Sequence, residues 1–338
     1  MVWAPGKQLH GGRYTIQKVL GHGRFGITYL ARDKNGDALV IKTPNDETLN
    51  RQDFDRLQQV FVQEAVKLAK CRHPHIVEAE QPFQENGVWC IAMEYIDGVD
   101  LASRAQTILP EEEALHYIQQ IGEALIVVHN NGLLHRDIQP QNIMVRAGKA
   151  EAVLIDFGLA REFDHDLTVT RTEEIAEGFA PLELYSRQAE RGAYTEDIYS
   201  LGATVYILLT GELPASAKAR RLYSIPLIPP NEINPQISNN INRSILWALE
   251  LEAKDRPKSI QEWLDSLGWK NNTSNPQSRS TPTTRPDPER SFKKWTLVWA
   301  AVASVGAVLA GIGGIAGWIP LFKSDSPTAP IQSPGKKL

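Results

Sequence analysis

The chain has 338 residues, a formal net charge of −4 and 42% hydrophobic residues. That length accommodates one large two-lobed domain plus extra segments, and the near-balance of charge argues against a dedicated nucleic-acid binder, which carries a basic excess. Cys71 and Cys90 are the only cysteines, so no disulfide framework holds the fold and a reducing compartment is the natural reading.

The first residues, Met1 to Lys7, contain no long apolar run, so no secretory signal is expected there. Residues 14–42 alternate short β-rich runs with turn signals. Tyr14 through Leu20 predicts a strand, Thr28-Tyr29-Leu30-Ala31 its hairpin partner, and Leu39-Val40-Ile41-Lys42 a third strand. Between the first two lies Gly21-His22-Gly23-Arg24-Phe25-Gly26. A dinucleotide-binding fingerprint sets such glycines between a strand and a helix; here a strand follows, so that reading fails. A glycine-rich hairpin instead lets backbone N–H groups approach a polyphosphate without Cβ obstruction.

Residues 53–70 carry apolar side chains at Phe54, Leu57, Phe61, Ala65 and Leu68, a helical period. Glu64 falls on that inward face and needs a partner, for which Lys42 is the candidate. His73 and His75 lie near Cys71, but Arg72-His73-Pro74-His75 reads as a loop rather than a metal site. Two strand-like runs follow in residues 76–96, and Glu94-Tyr95-Ile96-Asp97-Gly98 suits a hinge. Pro110 and Glu111-Glu112-Glu113 open a helix whose stripe is Leu115, Ile118, Ile121, Leu125 and Val128, closed by Asn131-Gly132.

Next comes His135-Arg136-Asp137-Ile138-Gln139-Pro140-Gln141-Asn142. The Asp137 carboxylate can accept a proton from a hydroxyl, the Asn142 amide oxygen can hold a metal ion beside it, and Arg136 can reach an anion on a neighbouring loop. A hairpin of Ile143-Met144-Val145 and Val153-Leu154-Ile155 then delivers Asp156-Phe157-Gly158. Asp197 stands near the start of an apolar helix that runs through Leu209 and is capped by Gly211; Trp247, Leu249, Trp263 and Leu267 are expected in the core.

Taken in order, the glycine loop, Lys42, Glu64, His135-Arg136-Asp137, Asn142 and Asp156-Phe157-Gly158 resemble the bacterial eukaryotic-like (Hanks-type) serine/threonine protein kinases, over residues 14–267. The resemblance implies an α+β, two-lobed protein-kinase fold, with a small β-rich N-lobe, a large α-rich C-lobe, and ATP with Mg2+ (or Mn2+) between them. It assigns nucleotide contacts to Leu20, Gly21, His22, Gly23, Arg24, Phe25, Gly26, Ile27 and Thr28, to Lys42 on the α- and β-phosphates, to the Glu94 and Ile96 backbone at the adenine edge, and to Asp100 at the ribose. It assigns the metal to Asn142 and Asp156, the proton of a protein Ser or Thr hydroxyl to Asp137, and an orienting ion pair to Lys42 and Glu64. Thr168, Thr170 and Thr172 become candidate regulatory phosphate sites that Arg136 would bind. Asp197 would brace the catalytic-loop backbone, and Glu183 would pair with Arg256.

Two positions depart from the family pattern. Gln139 stands where a Lys is usual, and Ala176 where a Thr usually meets that Lys and the catalytic Asp. The alternative reading is therefore a weakly active or inactive pseudokinase scaffold.

Residues 271–294 form a polar linker rich in Asn, Ser, Thr and Pro, expected to be disordered. From Trp295 to Phe322 no charged residue occurs, which predicts a transmembrane helix. Trp299 and Trp318 would lie roughly 29 Å apart along such a helix, one at each interface. Arg290, Lys293 and Lys294 precede it and Lys323 follows, so the kinase domain is expected on the cytoplasmic side of the cell membrane, with 323–338 as a short tail. Ala303, Ala307 and Gly311, with Gly313 and Gly317, offer a small-residue face for a homodimer through this helix. The expected partners are protein substrates and the membrane, with no nucleic acid.

Overall fold

A computed structural model describes residues 2–22, 26–49, 54–104, 108–157, 178–185 and 194–269. The chain divides into two compact units, Met1–Asn272 and Thr273–Leu338. The second unit, with most of the expected linker, the 295–322 segment and the tail, lies outside the described residues.

The first lobe is built on strands β1 (Gln8–Leu9), β2 (Tyr14–His22), β3 (Gly26–Asp33), β4 (Ala38–Pro44), β5 (Phe83–Glu85) and β6 (Val88–Glu94), with helices α1 (Asp46–Leu49) and α2 (Phe54–Leu68). The strands form one antiparallel sheet in the order β1-β2-β3-β4-β6-β5. The two-residue period of the sequence sets its buried face: Tyr14 and Ile16 on β2, Ile27, Tyr29 and Ala31 on β3, and Ile41 on β4. The predicted third strand runs on past Lys42 to Pro44. Trp3 stacks on Tyr29 at 5.3 Å between ring centroids, and its backbone N–H donates to the Tyr29 hydroxyl at 3.1 Å, so the N-terminal segment closes this small core. Helix α2 buries Leu57, Phe61, Glu64, Ala65 and Leu68, the face its periodicity marks.

The second lobe contains β7 (Gly98–Asp100), α3 (Leu101–Arg104), α4 (Glu111–Asn130), β8 (Ile143–Arg146), β9 (Ala152–Leu154), α5 (Thr195–Thr210), α6 (Ala217–Tyr223), α7 (Pro230–Ile233), α8 (Asn239–Ala248) and α9 (Ile260–Ser266). Strands β7, β8 and β9 form a small antiparallel sheet. A Cβ at Gly98 would lie 2.0 Å from the Val145 carbonyl oxygen, so β7 can reach β8 only where the side chain is missing. Helix α5 is buried along nearly its whole length, as its apolar composition on every face requires, and ends at Gly211 in the left-handed region.

Leu249, Trp263 and Leu267 are buried as expected. Trp247 is a correction: it is only half-buried. Its indole N–H donates to the Asp255 carbonyl at 2.9 Å, which ties the ring's polar edge to a surface turn instead of the core. Among the described residues, no helix is long and apolar enough to cross a membrane.

Candidate active site

The loop between α4 and β8 is fixed by one buried carboxylate. Asp197 accepts the backbone N–H groups of His135 at 2.9 Å and Arg136 at 2.8 Å, and the His129 imidazole at 2.8 Å. Arg136 has φ +62°, a costly backbone for a non-glycine residue, and these bonds hold it there. Burial alone pushes the Asp197 carboxyl up, but the hydrogen bonds and charges of His129 and His135 hold it below the usual carboxylate range. His135 is fully buried and its imidazole is pushed down, chiefly by burial. The neutral ring donates Nε2–H to the Ile155 carbonyl at 2.8 Å and accepts the Asp137 backbone N–H on Nδ1 at 3.2 Å. It also packs against Phe157, with ring centroids 4.5 Å apart.

Asp137 and Asn142 are joined within this loop. The Asn142 amide donates Nδ2–H to the Asp137 carbonyl at 2.7 Å, and a single 3-10 turn, Pro140–Asn142, separates them. Ile155 N–H donates to the Asn142 carbonyl at 2.9 Å, which sets Asp156 beside Asn142 across the β8–β9 hairpin. Asp156 itself has φ +56°. Asn142 and Asp156 each carry an oxygen donor of the type that Mg2+ or Mn2+ takes, on segments joined by this backbone bond. Gln139 donates Nε2–H to Asp137 Oδ1 at 2.9 Å.

The expected pair of Lys42 and Glu64 is corrected by the structure. Lys42 Nζ pairs with Asp156 Oδ1 at 3.1 Å, and Glu64 Oε1 pairs with Arg136 Nη1 at 3.0 Å. The exposures explain the choice. Glu64 and Arg136 are 8% and 13% exposed, whereas Lys42 and Asp156 are 23% and 42% exposed. A weakly hydrated guanidinium suits the buried carboxylate, and a strongly hydrated ammonium suits the open one. Lys67, one turn beyond Glu64 on α2, donates to the Gly132 carbonyl at 2.9 Å. Two contacts from one helical face therefore tie α2 to the loop that carries Asp137. Their three-residue spacing was readable in the sequence; their partners were not.

Around the expected nucleotide region, Gly21 faces Thr28 and His22 faces Ile27 in the β2–β3 hairpin, so Leu20, Gly21, His22, Gly26, Ile27 and Thr28 border one turn. A Cβ at Gly26 would lie 2.5 Å from the Thr43 carbonyl oxygen, which keeps that end of the turn side-chain-free. Gly23, Arg24 and Phe25 lie outside the described residues, as do Gly158, Thr168, Thr170, Thr172 and Ala176. Glu94 ends β6 and Ile96 follows in the crossing to β7. Among the described residues, no hydrogen bond engages the Ile96 N–H or C=O. Asp100 accepts the Ser103 backbone N–H at 2.8 Å and its hydroxyl at 2.7 Å, which starts α3 at the hinge. The Glu94 side chain pairs with Arg146 at 2.6 Å, a lobe-bridging contact whose 52-residue separation left no local signal. In the C-lobe, Arg256 holds Glu183 through two bonds, at 2.6 and 2.9 Å, both side chains buried. No cluster of three or more His, Cys, Asp or Glu residues suited to a metal occurs among the described residues.

A β-rich lobe, a helical lobe and this loop between them define a protein kinase domain. Residues 14–283 match the family described as protein kinase domain, and the chain belongs to it. Several curated relatives that the chain resembles are named serine/threonine-protein kinases. PknJ of Mycobacterium tuberculosis is 35% identical over 237 residues, covering 68% of this chain and 39% of that protein. PknB of Mycobacterium leprae is 30% identical over 270 residues, covering 74% and 42% respectively. The chain thus spans about two fifths of the length of these relatives. Among solved structures, the apo form of PpkA-294 superposes with a TM-score of 0.66 at 28% identity, covering 79% of this chain and 99% of that one. The kinase domain of Mycobacterium tuberculosis PknI gives a TM-score of 0.61 at 26% identity, with 79% and 99% covered.

Proposed function

We propose that this chain transfers the γ-phosphoryl group of ATP to Ser and Thr hydroxyls of proteins, itself among them, as a signalling kinase anchored in the cell membrane by residues 295–322 with its catalytic domain on the cytoplasmic side. The observation that carries the activity is the linked set Lys42, Asp137, Asn142 and Asp156: a base, two metal-type oxygen donors and a phosphate-binding cation joined by contacts of 2.7 to 3.1 Å.

The roles follow from position. Lys42 would hold the α- and β-phosphates, the β2–β3 turn would cover them, and the Ile96 backbone would meet the adenine edge. Asn142 and Asp156 would hold the divalent ion, whose chemistry is to neutralise charge on the phosphate oxygens. The substrate oxygen forms a bond to γ-phosphorus as the bridging bond to ADP breaks, and the hydroxyl proton passes to the Asp137 carboxylate. Positioning and electrostatics supply most of the acceleration, so each of these groups is needed. The pseudokinase alternative has less support, because all four groups are retained and Gln139 keeps a donor on Asp137.

The test is phosphate incorporation from radiolabelled ATP into the full chain and generic protein substrates. Incorporation on Ser and Thr is expected, and none with Asp137→Ala; equality of the two proteins would sink the enzyme. Mass spectrometry of the reacted chain is expected to find phosphate on Thr168, Thr170, Thr172 or the linker. For anchoring, the full chain should stay with membranes through alkaline carbonate washing and leave them when 295–322 is deleted. Recovery of the full chain in the wash would refute the anchor.

A further inference from the structure

We infer that Gln139 is a positioning residue for the transfer step, holding the Asp137 carboxylate in its working orientation through a neutral hydrogen bond; the inference rests on the kinase reading above. The bond is Nε2–H to Asp137 Oδ1 at 2.9 Å. An ionised carboxylate only accepts, so the amide must present its nitrogen to it.

The backbone makes Gln139 a stiff support. Pro140 follows it, and a residue before proline is confined to extended backbone; Gln139 has φ −160° and ψ 161°. Its carbonyl accepts the Asn142 N–H at 2.9 Å, closing the 3-10 turn. Asn142 in turn binds the Asp137 carbonyl at 2.7 Å. Gln139 therefore grips the Asp137 side chain while its own backbone positions Asn142, which grips the Asp137 main chain. The aspartate is held at both ends by a four-residue loop whose backbone has little freedom, so little entropy is lost in keeping the bond.

The donor is neutral, and this sets its division of labour. It orients the carboxylate but adds no positive charge where the transferring phosphoryl group would lie. Its removal should therefore appear in turnover and not in nucleotide binding, since only interactions specific to the reacting arrangement alter kcat alone.

Three substitutions in the full chain separate this role from filling space. Gln139→Met keeps the length and removes the donor; Gln139→Lys keeps a donor; Gln139→Glu keeps the shape and sets an acceptor against Asp137. With Gln139→Met, kcat is expected to fall roughly tenfold to a hundredfold, the size of a lost hydrogen bond to a charged group. KM for ATP should stay within about twofold. Gln139→Lys should retain at least about a third of the wild-type kcat, and Gln139→Glu should fall at least as far as Gln139→Met. Should Gln139→Met fail to fold, as judged by its urea midpoint, Gln139→Ala carries the same expectation. A Met or Ala variant as fast as wild type overturns the inference. So does equal impairment of all three variants, which marks a steric role, or a change confined to KM. If wild type itself transfers no phosphate above Asp137→Ala, the kinase reading fails and this inference with it; an active wild type with an unimpaired Gln139→Met removes this inference alone.

Discussion

Single side chains do separable jobs in this site, and His135 shows how one of them links stability to pH. Its imidazole is buried, neutral and lowered from the ordinary value of 6.5. The unfolded chain therefore binds a proton that the folded chain refuses as pH drops through that value. The stability contributed by neutral His135 is present above about pH 6.5 and is lost below it, with a slope of up to about 1.4 kcal/mol per pH unit for one proton. His73 is lowered as well, mainly by burial, and acts in the same sense. Urea unfolding at pH 7.5 and 5.5 should show the loss, and His135→Gln should flatten it. Residues of this kind were legible where their chemistry is local. Asp137 and Asn142 stand five apart in one loop, so their types and spacing point to the proposed reaction. Glu64 and Arg136 are 72 residues apart, and their pairing depends on how deep each charge lies, which no local pattern encodes. Gln139 was visible as a departure, but its bond to Asp137 needed the loop's geometry.

Helices and strands are where the sequence speaks most plainly, because periodicity reports burial. The β-rich runs of β2 to β4 became strands, and the helical stripe of α2 fell on the buried face predicted. Boundaries were less legible: β4 continues past Lys42 because its ladder with β3 extends to Gly26 opposite Pro44. Packing between elements was not legible at all, and Gly202 illustrates it. It lies within α5, where a Cβ would meet the Ala248 Cβ at 2.6 Å, so the α5–α8 contact depends on its missing side chain. Helix propensity alone favours Gly202→Ala by about 1 kcal/mol. Overpacking should outweigh it, leaving the variant destabilised by roughly 1–3 kcal/mol in urea unfolding. Adding Ala248→Gly should recover part of the loss, since the clash is with that methyl.

At the scale of the whole domain, the C-lobe is bound together by Arg256. Its guanidinium is wholly buried, holds Glu183 by two bonds, and also donates to the carbonyls of Thr195, Glu250 and Leu251. Arg256→Ala would leave a buried carboxylate without its cation and several carbonyls without a donor. A loss of about 3–5 kcal/mol is expected, read as a lowered urea midpoint. Arg256→Lys should rescue little, because an ammonium cannot match the planar fork. This pair was legible only through resemblance, the two residues being 73 apart. The two lobes were likewise legible through resemblance, while the β-rich runs of residues 14–42 and the helical stripe opening at Pro110 were legible locally.

The contact between Lys42 and Asp156 has a thermodynamic consequence. In the proposed mechanism Lys42 would leave Asp156 to reach a phosphate, and Asp156 would exchange the ammonium for a metal ion. Whichever ligand arrives first does the work of parting them, and the other then meets a group already released. Nucleotide and divalent cation should accordingly be heterotropic activators of each other's binding, by one and the same factor in both directions. Titration calorimetry with a non-hydrolysable nucleotide, with and without Mg2+, and with Mg2+, with and without nucleotide, should return matching ratios of affinity, and Lys42→Met should bring both ratios down together.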